Sequence, residues 1–218
     1  MRIRIFYLLL VVSILQFFCS LPCLTQDSTK KIKSRVPPGQ NVIQDFPILH
    51  IKEIPDLNRK NWSLKIHGEC EKEITLDWDS FSRLPVVESI SDFHCVTGWS
   101  RLDNRWIGVR IRDILKEVNP NKKAKFITFQ AKDGYTTSLP IFGCTRDDDL
   151  LAYEWEGKPL DTEKGGPVRV VIPDKYGYKS AMWIVELKLT QEQEMGFWEK
   201  KGYSNSADPW REERREEK

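Results

Sequence analysis

Residues 93–99 read FHCVTGW, and the cysteine within them raises the question of chemistry. A thiolate is a soft, polarizable donor, and its reactivity and its metal affinity both follow its pKa. A lone buried cysteine is otherwise a small hydrophobe, so the surroundings of Cys95 have to decide between a ligand and a packing residue. The chain holds five cysteines. Cys19 and Cys23 fall in an apolar leader, which leaves Cys70, Cys95 and Cys144. Three thiols without paired spacing make neither a disulfide framework nor a zinc site. Cys70 with Cys144 is the one pairing that spares Cys95, and that bond is not expected. His94 points to the side opposite Cys95 if the segment is extended, which suits a supporting role.

A framework of strands must position these residues. Alternating or β-rich runs occupy 62–66, 73–78, 86–91, 125–131, 135–141, 150–155, 168–173 and 182–189. Helical periodicity is short: VRIRDILKEVN at 109–119 carries Val109, Ile111, Ile114, Leu115 and Val118 on one side and stops before Pro120. A second, shorter helix is expected at 79–84, capped by Asp79 or Ser80 and stopped by Pro85. Many short strands with few helices predict a β-rich α+β fold in a single domain, and 218 residues are enough for one sizeable core.

The 34 basic and 32 acidic residues leave a net charge of +2 with the signs well mixed, which gives no case for nucleic acid. MRIR leads into an apolar run over residues 5–24. About 20 such residues can span a bilayer, and the same pattern fits a secretory signal. Residues 1–25 are therefore expected to be a signal peptide or membrane anchor, 26–41 a basic linker ending in Pro-Pro-Gly, and 42–218 the folded domain. This predicts a membrane-associated or extracytoplasmic (periplasmic) protein, with the side left open.

Three stretches, DFHCVTGWSRLDNRWIGVRIRDIL (92–115), GGPVRVVIPDKYGYKSAMW (165–183) and GFWEKKGYSNSADPW (196–210), together resemble the sulfite oxidase and molybdopterin-binding oxidoreductase family. The likeness continues through 37–50, 62–68, 133–140 and 150–160, in the family's order. It implies the sulfite oxidase-like fold and a molybdenum–molybdopterin cofactor whose single protein sulfur is Cys95. It assigns Arg169 to the cofactor, with Gly165 and Gly166 admitting backbone close to the pterin. Lys179, Ser180 and Ala181 match a loop that holds the pterin, His50 falls near an Asn-His pair that reaches it, and Tyr203 matches a tyrosine of the substrate pocket. Arg101 is a candidate for attracting an oxyanion, or else a solvated loop charge. Two departures stand out: Met182 replaces a family lysine, and Lys164 stands where relatives carry histidine or asparagine.

The resemblance implies an enzyme that transfers an oxygen atom to or from a sulfur or nitrogen oxide, by sulfoxide or N-oxide reduction or by sulfite-type oxidation. The chain shows neither a haem motif nor an iron–sulfur cysteine set. Electrons are therefore expected to pass to or from a separate protein, a membrane haem protein or cytochrome. With one cofactor domain a monomer is expected, and REERREEK at 211–218 reads as a solvated helical end. The competing reading is a binding module that keeps the fold without catalysis.

Overall fold

A computed structural model describes residues 35–216, and its compact unit begins at Val36. Two sheets make the framework. The first contains β1 (Asn41–Val42), β4 (Val86–Cys95), β5 (Trp99–Arg110), β8 (Leu150–Trp155), β9 (Lys158–Pro159) and β10 (Arg169–Val171). The second runs in the order β3 (Ile74–Asp77), β2 (Ser63–Gly68), β11 (Ile184–Thr190), β6 (Phe126–Ala131) and β7 (Thr136–Pro140). Among the described residues of this unit the α-helices are α1 (Trp78–Phe81) and α2 (Ile111–Val118), so the architecture is the β-rich α+β fold expected.

Sequence period explains the layers. In β2, Leu64 and Ile66 are fully buried while Ser63 and Lys65 face out, the alternation of a strand with one covered face. In α2 the buried residues are Ile111, Ile114, Leu115 and Val118, an i, i+3, i+4, i+7 stripe. The helix ends where Asn119 takes a left-handed conformation just before Pro120. These side chains join Phe129, Leu187 and Trp183 in the main core, each burial contributing about 1.5–3 kcal/mol. A smaller cluster of Trp106, Leu150, Ala152, Leu160 and Val171 sits on the first sheet, with Phe46 and Trp155 packed against it.

The β4–β5 hairpin carries the thiol. Its 12-residue strand β5 was not anticipated, because the polar stretch around Asp103 and Asn104 hides the alternation. Strand β4 runs past the expected end at Ser91, through an irregularity between Ser91 and Phe93, as far as Cys95. The cap of α1 is Asp77, whose carboxylate accepts the Ser80 amide at 2.8 Å, two residues before the earlier of the two expected caps.

The expected membrane association is corrected. No helix among the described residues is long and apolar enough to cross a membrane. The eight residues of α2 reach only about 12 Å, against about 30 Å of hydrocarbon. Residues 5–24, on which the expectation rested, lie outside the described residues, as does most of the expected linker.

Candidate active site

A cavity of about 350 Å³ opens beside the end of β4, within the range of small-molecule sites. Cys95 stands in its wall as the last residue of β4, 7% exposed, with Sγ 3.1 Å from Thr97 Oγ1. A tight turn follows: the Cys95 carbonyl accepts the Gly98 amide at 3.0 Å and the Gln40 side-chain amide at 3.2 Å. Strand alternation sends His94 the other way, fully buried, with Nδ1 2.8 Å from Ser100 Oγ and its ring 5.0 Å from Trp210. Cys70, Cys95 and Cys144 are all free thiols.

Arg169 enters the cavity from β10 and is 3% exposed. Its guanidinium donates to the Lys164 carbonyl at 2.9 Å and the Ser180 carbonyl at 3.3 Å, and lies 5.5–5.6 Å from the rings of Phe46, Phe93 and Trp106. Among the described residues no carboxylate pairs with it. Burial alone lowers its pKa to about 10, so it stays charged at neutral pH, a buried cation suited to an anionic or oxygen-rich ligand.

The next loop supplies amides. Ser180, Ala181 and Met182 line the cavity, and the Ala181 and Met182 amides take no backbone partner among the described residues. The Ser180 hydroxyl accepts the Ile172 amide at 3.0 Å and so ties this loop to the end of β10. Lys164 lines the cavity with Nζ 4.3 Å from the centre of the Trp155 ring. His50 sits exposed at the rim, Nδ1 hydrogen-bonded to the Lys52 carbonyl and its ring 6.1 Å from Trp183.

Three tyrosines line the cavity. Burial raises the pKa of Tyr135 and Tyr178, and both hydroxyls are already committed, Tyr135 to the Tyr178 carbonyl and Tyr178 to the Ser204 carbonyl. Tyr203 is the third, its ring packed on Trp198 at 5.0 Å and Tyr178 at 5.6 Å. Its hydroxyl makes no hydrogen bond among the described residues and remains a donor for a ligand.

Three expected site residues stand elsewhere. Lys179 does not line the cavity: it is fully buried, with Nζ 2.5 Å from Glu199 Oε1 and 3.0 Å from the Ser138 carbonyl. The residue lies in a 3-10 turn that sends Tyr178 and Ser180 to the cavity and Lys179 behind it. Arg101 turns to Glu156 at 2.9 Å and to the Trp155 ring at 4.7 Å, outside the cavity lining. Gly166 also lies outside the lining; a Cβ there would fall 2.2 Å from the Leu160 carbonyl oxygen, so backbone packing requires the glycine. Its neighbour Gly165 has φ +97°, and a Cβ would meet Met182 at 2.8 Å, so Met182 fills the space beside that turn.

Sequence reasoning missed two contributions. Gln40 and Phe46 lie in the stretch 37–50, where neither residue type marks a site, and they reach the Cys95 turn and the aromatic wall. The segment 211–216 is no solvated helix: Arg214 donates to the Val96 carbonyl, and Arg215 lies 4.0 Å from the centre of the Tyr203 ring. Contacts between segments so far apart in sequence, 55 positions for Gln40 and Cys95 and 118 for Arg214 and Val96, leave no local signal.

Among the described residues no group of three or more His, Cys, Asp and Glu side chains could hold a metal, so the donor set on offer is one thiol, one buried guanidinium and free amides. That set fits a metal whose other ligands arrive with an organic cofactor. The chain is 41% identical over 183 residues to the uncharacterized oxidoreductase YuiH of Bacillus subtilis, covering 83% of this chain and 91% of that protein. It is 33% identical over 161 residues to the protein-methionine-sulfoxide reductase catalytic subunit MsrP of Campylobacter jejuni, covering 66% of this chain and 54% of the subunit. The sulfane dehydrogenase SoxCD from Paracoccus pantotrophus shares the fold with a TM-score of 0.59 at 16% identity, over 83% of this chain and 55% of that one. The chain thus spans about half the length of these last two proteins. The model of the oxidoreductase molybdopterin-binding domain matches residues 51–198, the stretch that supplies Cys95, Arg169 and most of the cavity wall, and this chain therefore belongs to the molybdopterin-binding oxidoreductases.

Proposed function

We propose that the cavity holds a molybdenum–pyranopterin with Cys95 as the protein's sulfur ligand, and that the enzyme reduces a neutral sulfoxide or N-oxide. When bound, such a cofactor supplies two-electron redox chemistry coupled to transfer of an oxygen atom. The chain's residues do the rest. Cys95 gives a soft anionic donor at the cavity wall. Arg169, with Lys164 and the Ala181 and Met182 amides, would hold the pterin's oxygens and phosphate. Tyr203 offers its free hydroxyl to a substrate oxygen, while Trp99, Trp198 and Phe46 keep water from it. Electrons come from a separate redox protein such as a cytochrome.

The observation that carries this reading is the meeting of Cys95, Arg169 and Tyr203 on one cavity. The charge pattern favours a neutral oxide over sulfite. Arg101 is tied to Glu156, and the lining sets Arg169 and Lys164 against Asp133 and Glu163, which opposes a small dianion. The relatives named as methionine-sulfoxide reductase subunits support the same substrate class.

The test is metal analysis of protein made in a host competent for molybdopterin synthesis, followed by sulfoxide and N-oxide reduction with a dye donor. About one molybdenum per chain is expected, and Cys95→Ser should fold yet abolish turnover. Folded wild-type protein without molybdenum would favour the catalytically silent binding module, and full activity in Cys95→Ser would remove the ligand assignment.

A further inference from the structure

The segment 211–216 lies against both chemical groups of the cavity from outside. Arg214 donates one guanidinium nitrogen to the carbonyl of Val96, the residue after Cys95, and approaches the Gly39 carbonyl with another at 3.5 Å. Its guanidinium lies 5.4 Å from the centre of the Tyr176 ring. One residue on, Arg215 covers the Tyr203 ring at 4.0 Å and donates to the Lys201 carbonyl at 3.0 Å. Backbone pairing fixes this placement: Tyr203 and Arg215 form an antiparallel bridge, the Ser204 amide donates to the Arg214 carbonyl at 3.3 Å, and the Glu216 amide donates to the Gly202 carbonyl at 3.2 Å.

Two adjacent arginines therefore reach the two sides of one site. Arg214 bonds to the turn that follows Cys95, and Arg215 packs on the ring of Tyr203, which lines the cavity. Neither guanidinium lines the cavity. We propose that Arg214 and Arg215 form a strap that sets the position of Tyr203 relative to Cys95, acting as positioning residues for the reaction. The role of Arg215 rests on the function proposed above; the hold of Arg214 on the Cys95 turn does not. A guanidinium over an aromatic ring restrains its tilt, and a hydrogen bond to the Val96 carbonyl fixes the peptide that follows the thiol. A shift of an ångström in either group is enough to slow a reaction that depends on orientation.

The experiment has two arms on the full chain. In the first, Arg215→Gln should lower kcat about three- to fivefold with KM unchanged, the scale of one cation–π contact, and Arg215→Lys should restore most of it. The same change in a Tyr203→Phe background should cost nothing further, because the hydroxyl it positions is gone. An equal loss in both backgrounds would make Arg215 a general stabiliser and overturn its assignment. In the second arm, cofactor-free Cys70→Ser protein is treated with iodoacetamide, and alkylation of the Cys95 peptide is followed by mass spectrometry. Arg214→Gln should raise that rate several-fold as the turn loosens, and an unchanged rate would overturn the strap's hold on Cys95. If wild-type protein bound no molybdenum and showed no turnover, the proposed function would fall, while the alkylation arm would still decide for or against Arg214.

Discussion

Arg169 and Lys179 are both buried cations, ten residues apart in sequence, and both carried the expectation of holding a cofactor. The structure separates them by their surroundings. Lys179 sits 2.5 Å from Glu199, which also accepts the Thr137 hydroxyl at 2.6 Å. Arg169 has carbonyl oxygens and aromatic rings around it and no carboxylate among the described residues. The charge of Lys179 is compensated within the protein, and that of Arg169 has no counter-ion among the described residues, as the proposed cofactor site requires. Charge satisfied internally marks a structural clamp, here between the 177–180 turn and the segment carrying Trp198 and Tyr203. Charge left unsatisfied at a cavity wall marks a binding position.

The largest expected effect tests the clamp. Lys179→Met should destabilise the cofactor-free protein by about 3–5 kcal/mol, since it strands the Glu199 carboxylate in the interior. The double variant Lys179→Met/Glu199→Leu should recover most of that loss, because an apolar pair of similar volume carries no desolvation cost. Chemical denaturation of the three proteins measures both numbers. A single variant as stable as wild type would mean that water reaches this pair and that the contrast with Arg169 is false.

Arg169→Met should show the opposite signature. Burial lowers the folded-state pKa well below the ordinary guanidinium value, to about 10, so keeping the guanidinium charged costs on the order of 3 kcal/mol. For a base with a depressed pKa the unfolded chain binds more protons in the window above pH 10. Stability attributable to this group therefore rises there, and the whole cost is present at neutral pH. Removing the charge relieves it and forfeits the bonds to the Lys164 and Ser180 carbonyls. The net change at pH 7 should be within about 1 kcal/mol of wild type or favourable. Molybdenum content should nevertheless fall sharply. Destabilisation as large as that of Lys179→Met, with metal content unchanged, would make Arg169 a core residue.

The same contrast explains what could be read in advance. The alternation of β2 and the buried stripe of α2 are local properties, and both were legible. Cys95 was legible because its motif and its strand parity agree, and the opposite facing of His94 follows from that parity. The partner of Lys179 was not, since Glu199 lies twenty residues away in an irregular segment and only the folded chain brings them together. Strand β5 was hidden by polar residues at Asp103 and Asn104, and Arg214 reaches Val96 across 118 positions. Local pattern carries period and motif. It does not carry which buried charge finds its counter-ion.

Arg101 provides the smallest effect and the finest test. As a cavity residue it would be a third cation at the site and would favour an anionic substrate. In the structure its guanidinium is 2.9 Å from Glu156, donates to Asn104 Oδ1 at 2.5 Å and to the Gln44 carbonyl at 3.0 Å, and lies on Trp155. The charge is thus compensated, as that of Lys179 is, but close to solvent, where Glu156 is 37% exposed and screening weakens the pair. Arg101→Gln should therefore cost about 1 kcal/mol or less of stability, the scale of one exposed pair and one cation–π contact. Molybdenum content, kcat and the preference for neutral oxides should stay as they are, because no cavity group loses a partner. Steady-state kinetics on a sulfoxide and on sulfite, beside a denaturation curve, separate the outcomes. A kcat or sulfite preference that moved tenfold, with stability unchanged, would return Arg101 to the site and show that charge compensation does not sort structural from functional cations in this protein.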